Sequence, residues 1–428
     1  MKESFSSDSL KVLPVLVCRK EDVKEEFLGR RIEQLKANLT FEPQILKAVI
    51  VNEESDVLSL KKHVGKADVI LLYKPHLGQG DHVVKISEYG LPIILFNEEG
   101  KVNNPLDALE YVYPRKKVWV AIDYSDVNSY LRLLFVKKEI EHTKILVLNA
   151  DYPHWEKFLC RVLGGLEAIK ETFGIDIEYV NSKEVIERWK SIEEKRAVST
   201  AEKWMKEAEK MVEPEKKDLL SVARLYLVMK DLLEEKGAQA ITMAYGDDPL
   251  PVPCFAYTTL RDEGIPAACE ADVISLLSMI ILHYVANKPC FMGNTFVDLN
   301  DEAIILSHCV CPRKMKGYNA CASPYVLRSY HEKKFAGSLT AFVKMNKDQE
   351  VTVCRLGGDL KTMLITKGKI MSCVDINHYC RVTVKIKIDD PRGFVHESSG
   401  NHHVMVYGDF REELRELNRI FGIATVEM

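Results

Sequence analysis

The chain has 428 residues, of which 46% are hydrophobic and 29% charged, with a formal net charge of −4. This is the profile of a globular protein long enough for two or three cores, and it lacks the basic excess that nucleic-acid binding requires. No apolar run is long enough to span a membrane, so neither a nucleic acid nor a membrane is expected as a partner.

The opening stretch, MKESFSSDSLKVLPVLVC, has no apolar core of the kind a secretory signal carries. Eleven scattered cysteines argue against a disulfide scaffold and for a reducing compartment. A cytoplasmic location is the expectation.

In chain order, VLPVLV (12–17), KAVIV (47–51), DVILLY (68–73), PIILF (92–96) and VWVAI (118–122) read as buried strands. The segments EEFLGRRIEQLKANL and SDVLSLKKHVG between them show helical spacing. Alternation of this kind predicts a parallel sheet. After DVILLY, the run from Lys74 to Asp81 holds a G-x-G but no third glycine, so it reads as a tight turn rather than a dinucleotide fingerprint.

A second cycle begins with the strand KILVLNA (144–150), a helix, and the strand IDIEYV. A charge-rich helical stretch follows, broken at Pro214 and read as a solvated surface, before AQAITMAY (238–245) returns to strand. Asp247 and Asp248 then fall at a sheet's carboxyl edge, as turn residues or as ligand contacts.

After about residue 315 the texture changes to successive strands: TAFVKM, EVTVCRLG, LITKGKIM, RVTVKIKI and HHVMVYG. A final helix, FREELRELNRIFG, is expected to be capped by Asp409. The predicted fold class is α/β: two Rossmann-like α/β domains (1–125 and 126–315), then a β-rich, barrel-like C-terminal domain with a terminal helix (316–428).

The segment richest in chemistry runs from 265 to 312. Val273, Leu276, Leu277, Ile280, Ile281 and Tyr284 share one helical face, and Asp272 stands at the N-cap. Glu270 lies among small apolar neighbours, where a carboxylate needs a partner: an arginine, a metal or a transferred proton. His308 ends the short strand AIILS, as a structural residue or a ligand. Cys309 and Cys311 form a C-x-C pair, but Cys290 and Cys321 supply no second close pair for zinc. In GNHHVMVYGD (400–409), strand alternation sends His402 and His403 to opposite faces, so a single metal site takes only one of them.

Together CFAYTTLRDEGIPAACEADV, PCFMGN, SHCVCPRKM and GNHHVMVYGD resemble motifs of the L-fucose and L-arabinose isomerase superfamily, most closely the fucose isomerase-like proteins. The likeness covers roughly residues 254 to 428, with the N-terminal third matching in architecture only. It implies a Mn²⁺-dependent aldose–ketose isomerase working on a pentose or hexose, including one modified at C6, through an enediol. It also implies a homo-oligomer, a trimer or hexamer, in which His76 reaches a neighbour's substrate.

Carried onto this chain, the family's metal glutamate is Glu270, its N-H histidine His402, and a further histidine His308. Where the family places a second acid, this chain has Phe291-Met292-Gly293-Asn294. Asn294 can still give a carbonyl oxygen to Mn²⁺ but cannot accept a proton. Asp298, Glu397 or a water then stands in as the second base. The alternatives are a non-catalytic sugar-binding or regulatory protein on the same fold, or an epimerase or lyase sharing the enediolate.

Overall fold

In the computed structural model, residues 10–20, 25–74, 80–96, 117–159, 161–245, 249–331, 339–377 and 379–428 are described. The β-branched runs of the first third assemble as strands β1 (Lys11–Val17), β2 (Gln44–Ile45), β3 (Val49–Val51), β4 (Val69–Tyr73), β5 (Ile93–Phe96) and β6 (Val118–Ala121). They form one parallel sheet in the order β2-β1-β4-β5-β6, with β3 also paired to β1. Helices Glu25–Asn38, Glu54–Val64 and Gly80–Ser87 connect them, and Leu13, Val15, Ile70, Leu72 and Ile93 lie in the core. This sheet belongs to the first of two compact units, Met1–Lys138 and Glu139–Met428.

The second unit opens with another parallel sheet. Its strands are β7 (Lys144–Leu148), β8 (Asp176–Val180), β10 (Ala240–Met243) and β11 (Ala267–Ala268), in the order β11-β10-β7-β8. The short β9 (Lys210–Met211) joins β14 (Tyr325–Ser329) and β15 (Leu339–Val343) in a separate three-stranded sheet. The charge-rich stretch is not simply a solvated surface. Helix Lys216–Lys236 buries Leu219, Val222, Leu225, Val228, Met229 and Leu232, because its apolar stripe is wide enough to face a core.

Six antiparallel strands close on themselves. They are β12 (Phe291–Asp298), β13 (Ala303–His308), β16 (Glu350–Leu356), β17 (Thr362–Val374), β18 (Val382–Lys387) and β19 (His402–Tyr407). The order β16-β19-β12-β13-β18-β17 returns to β16, so the ring is a closed barrel without free edges. On β18, Val382, Val384 and Ile386 are buried and alternate with the less buried Thr383, Lys385 and Lys387. The inward set meets Leu306 and Ile304 of β13 in register. Two barrel strands thus come from residues 291–308, upstream of the change in texture near 315. β20 (Ala424–Glu427) runs parallel to β17 outside the ring.

Helix Val273–Ala286 touches β10 and β11 of the parallel sheet as well as β16 and β19 of the barrel. Being covered from both directions, it buries Ile274, Met279 and Leu282 in addition to the single face read from the sequence. The last helix, Arg411–Phe421, is capped at Phe410 rather than Asp409. Asp409 sits one residue earlier and accepts from both the Arg411 amide at 3.2 Å and the Arg411 guanidinium.

Candidate functional site

The site begins where β11 ends. After Ala268 the chain passes through Cys269 into two consecutive non-glycine residues with left-handed backbone, Glu270 (φ 61°) and Ala271 (φ 57°). Each such residue costs on the order of 1 kcal/mol or more, and strain of this kind persists where surrounding structure over-determines it. The turn separates two carboxylates by role. Glu270 stays partly exposed, whereas Asp272 is buried at the N-cap of helix Val273–Ala286 and accepts from the Ser275 amide at 3.0 Å.

Asp272 does more than cap. Its Oδ2 takes the hydrogen bond of His402 Nδ1 at 2.9 Å and that of the Ser275 hydroxyl at 2.8 Å. Burial alone would raise this carboxyl, but the His402 hydrogen bond and the Arg355 charge outweigh it and hold it well below the usual range. An ionised acceptor at Nδ1 holds the ring in place and turns Nε2 toward Glu270. That Nε2 is buried, has no hydrogen-bond partner among the described residues, and lies 3.9 Å from Glu270 Oε2.

Arg355 of β16 locks the arrangement from behind. It donates to the His402 carbonyl and to Ser275 Oγ (3.0 Å), and lies 3.8 Å from Asp272 Oδ2. Gly400 makes room for it, since a Cβ there would fall 2.4 Å from Arg355 Nη2.

Ligand atoms of Cys269, Glu270 and His308 lie within 4.8 Å of one another, and the His308 and His402 ring centroids are 5.5 Å apart. Burial, then the neighbouring His402, push the His308 pKa down to about 3, so the ring is neutral. Its Nδ1 accepts the Cys309 amide at 3.0 Å, which places the ring proton on Nε2. In this tautomer His308 offers a hydrogen-bond donor rather than a lone pair. Tyr245 O–H stands 2.7 Å from Cys269 Sγ.

The remaining sequence expectations fall in different places. Asn294 is the register partner of His402 on β19 and of Ser307 on β13, so these side chains share a face. Its Oδ1 accepts from Asn401 Nδ2. His403 has a separate set of partners: Thr295 Oγ1 at 2.8 Å, Ser398 Oγ at 2.9 Å and the Phe394 ring. Burial, then the Arg355 charge, hold its pKa down at about 3. Asp298 lies four residues along β12 from Asn294, roughly 13 Å away at strand rise. There it binds Lys385 at 2.7 Å, and that contact keeps its carboxyl low.

Glu397 is exposed and lines a cavity of ≈ 400 Å³ with Arg161, Arg355, Asp359 and Ser399. His76, Asp247 and Asp248 lie outside the described residues. Cys311 turns to the Pro312 carbonyl, so the C-x-C pair does not converge on one point. Sequence reasoning missed Arg355 and the second task of Asp272. An N-cap signature is the same whether or not a histidine from a distant strand lands on it.

The donor set fits a divalent metal. The buried Nε2 of His402 faces a partly exposed carboxylate across a gap that two ligand bonds of about 2 Å can span. Behind it a carboxylate orients the imidazole, as in many metal centres.

No family model matches the chain. It is similar to proteins named sulfoquinovose isomerase. One, from Alkalicoccus urumqiensis, is 25% identical over 320 residues, covering 71% of this chain and 68% of the relative. Another, from Priestia megaterium, is 22% identical over 444 aligned positions, covering 94% and 95%. A third, from Clostridium sp., is 25% identical over 268 residues, covering 58% and 57%. These relatives support the sugar-isomerase likeness of the motifs but not L-fucose isomerase in particular. Among solved structures, a glucose-galactose binding protein from Geobacillus stearothermophilus is 17% identical and covers 65% of this chain and 92% of its own. Its TM-score of 0.18 is too low to bear on the fold.

Proposed function

We propose that the protein is an aldose–ketose sugar isomerase whose site is built on Glu270, His402, His308 and Asn294, with Asp272 and Arg355 as positioning residues. The observation that carries this reading is His402 Nε2, buried without a hydrogen-bond partner among the described residues and 3.9 Å from Glu270, while Asp272 holds the opposite nitrogen. The relatives named sulfoquinovose isomerase support the sugar-isomerase class, and their name directs attention to six-carbon sugars carrying a sulfo group.

Glu270 and His402, joined by the Asn294 carbonyl, would hold Mn²⁺. A hard divalent ion there supplies Lewis acidity toward the oxygens on C1 and C2 of the sugar. Glu270, partly exposed on its strained turn, removes the proton from C2, exchanges it with water and delivers a proton to C1, while the hydroxyl proton passes from O2 to O1 through water. His308 Nε2–H faces the same space and donates a hydrogen bond to a sugar oxygen as negative charge develops on it. Asn294 takes no proton, so a single carboxylate serves both halves of the transfer.

The test is a panel of pentoses, hexoses and C6-sulfonated hexoses incubated with the full chain and Mn²⁺ in deuterated water. The expected result is ketose carrying deuterium at C1, lost in Glu270→Gln. Sugar binding without ketose across the panel overturns the proposal in favour of a binding protein. The absence of a second carboxylate at 294, where Asn294 instead pairs with Asn401, is the observation favouring that rival. Deuterium at C2 without ketose would identify an epimerase.

A further inference from the structure

Beside the site just described lies a cluster of thiols that the proposed reaction does not use. The ligand atoms of Cys309, His331 and Cys380 lie within 4.8 Å of one another. The Cys254 thiol neighbours both Cys269 and Cys309 but stands outside this set of three. Each residue comes from a different place in the chain. Cys254 opens helix Cys254–Asp262, Cys309 follows β13, His331 follows β14, and Cys380 precedes β18. Pairing of His308 with Val382 across β13 and β18 brings Cys309 and Cys380 to the same end of the barrel.

All three cysteines are free thiols and buried, Cys254 and Cys309 almost completely. The Arg381 amide donates to Cys309 Sγ at 3.4 Å, the kind of N–H···S contact that supports a ligating sulfur. The Arg381 guanidinium acts electrostatically on both Cys309 and Cys380. Two thiolates and one neutral imidazole around a divalent ion carry no net charge. Two sulfurs and a nitrogen, with a water in the fourth position, form a donor set for zinc, too soft for Mn²⁺.

We propose that Cys309, Cys380 and His331 form a second metal site, for zinc, that ties the mouth of the barrel to the end of β14. Binding releases the two thiol protons to solvent as two sulfur–zinc bonds and one nitrogen–zinc bond form, a water taking the fourth position, with no change of oxidation state. The site stands independently of the sugar chemistry proposed for Glu270 and His402.

The test is elemental analysis of the full-length protein after expression with added zinc, followed by Co²⁺ replacement. Zinc should be retained through dialysis, and the Co²⁺ form should show intense thiolate charge-transfer absorption in the near ultraviolet. Cys309→Ser and Cys380→Ser should each cut zinc retention at least tenfold and remove that band. Cys311→Ser, buried but outside the cluster, and His402→Ala should keep both. Because a variant can fail to fold, the Co²⁺ spectrum of the unaltered chain is the deciding measurement. Absence of the band overturns the proposal. So does a band unchanged in the folded Cys309→Ser/Cys380→Ser double variant, or a Cys309–Cys380 disulfide in freshly isolated protein.

Discussion

Replacing Asp272 by Asn separates capping from metal chemistry. The side chain is 2% exposed, and its carboxylate meets His402 Nδ1 (2.9 Å), the Ser275 amide (3.0 Å), the Ser275 hydroxyl (2.8 Å) and Arg355 Nη1 (3.8 Å). Asparagine keeps an acceptor for the Ser275 amide. It loses the charge that holds the His402 ring at Nδ1, and it leaves the Arg355 guanidinium buried without its carboxylate. Two charge-assisted contacts weakened in a buried site should cost about 2–4 kcal/mol of stability. Without the anion, the ring is no longer held with Nε2, the nitrogen proposed to ligate, toward Glu270. Mn²⁺ affinity should therefore fall roughly 10–100-fold, the usual effect of removing an outer carboxylate. Urea unfolding gives the first number and Mn²⁺ titration followed by electron paramagnetic resonance the second. Ser275→Ala, which keeps the capping amide and removes the hydroxyl contacts to Asp272 and Arg355, should cost about 1 kcal/mol and leave Mn²⁺ affinity intact. Wild-type Mn²⁺ affinity in Asp272→Asn, or an equal loss in Ser275→Ala, would refute the role assigned to the carboxylate.

Three further outcomes follow from the same geometry. His402→Ala should abolish Mn²⁺ retention while His403→Ala retains it, as metal analysis after dialysis will show; equal loss in both would undo the face assignment. Buried His403 and His283 are held to about 3 and about 4, principally by desolvation. Unfolded histidines bind protons near pH 6.5, so the unfolded state takes up more protons as pH falls below that value. Stability should be complete above pH 6.5 and decline toward pH 4, by up to about 1.4 kcal/mol per pH unit for each ring. Urea curves at pH 7.5, 6.0 and 5.0 should show this, and a flat profile would contradict it. Gly400→Ala should destabilise by about 1–3 kcal/mol, because its Cβ would push into the Arg355 guanidinium. Unchanged thermal unfolding of that variant would mean that the arginine is not held there.

Much of the architecture was legible because the apolar period is a local property. The β-branched runs of the first third read as parallel strands, and RVTVKIKI read as a strand that the fold places as β18. The opposite faces of His402 and His403 followed from strand geometry alone. What local pattern could not provide was the ring. Closure depends on β17 returning to β16, and two of its strands, β12 and β13, lie upstream of the change in texture. The left-handed turn at Glu270 and Ala271 was equally hidden, since neither residue is the glycine or asparagine that usually marks such a conformation.

By itself, the sequence determined the residue types at the site and the elements that carry them: a carboxylate before a helix, a capping aspartate, a histidine at the end of one strand and another opening a second. Only the tertiary structure decided how they are used. Asp272 and His402 are 130 residues apart, and their hydrogen bond exists because helix Val273–Ala286 packs against the barrel at β19. That contact holds Nδ1 of His402, turns Nε2 toward Glu270, and leaves Asn294 on the same face. The chemistry of each side chain is local, whereas its orientation and its neighbours are set by packing between segments far apart in the chain.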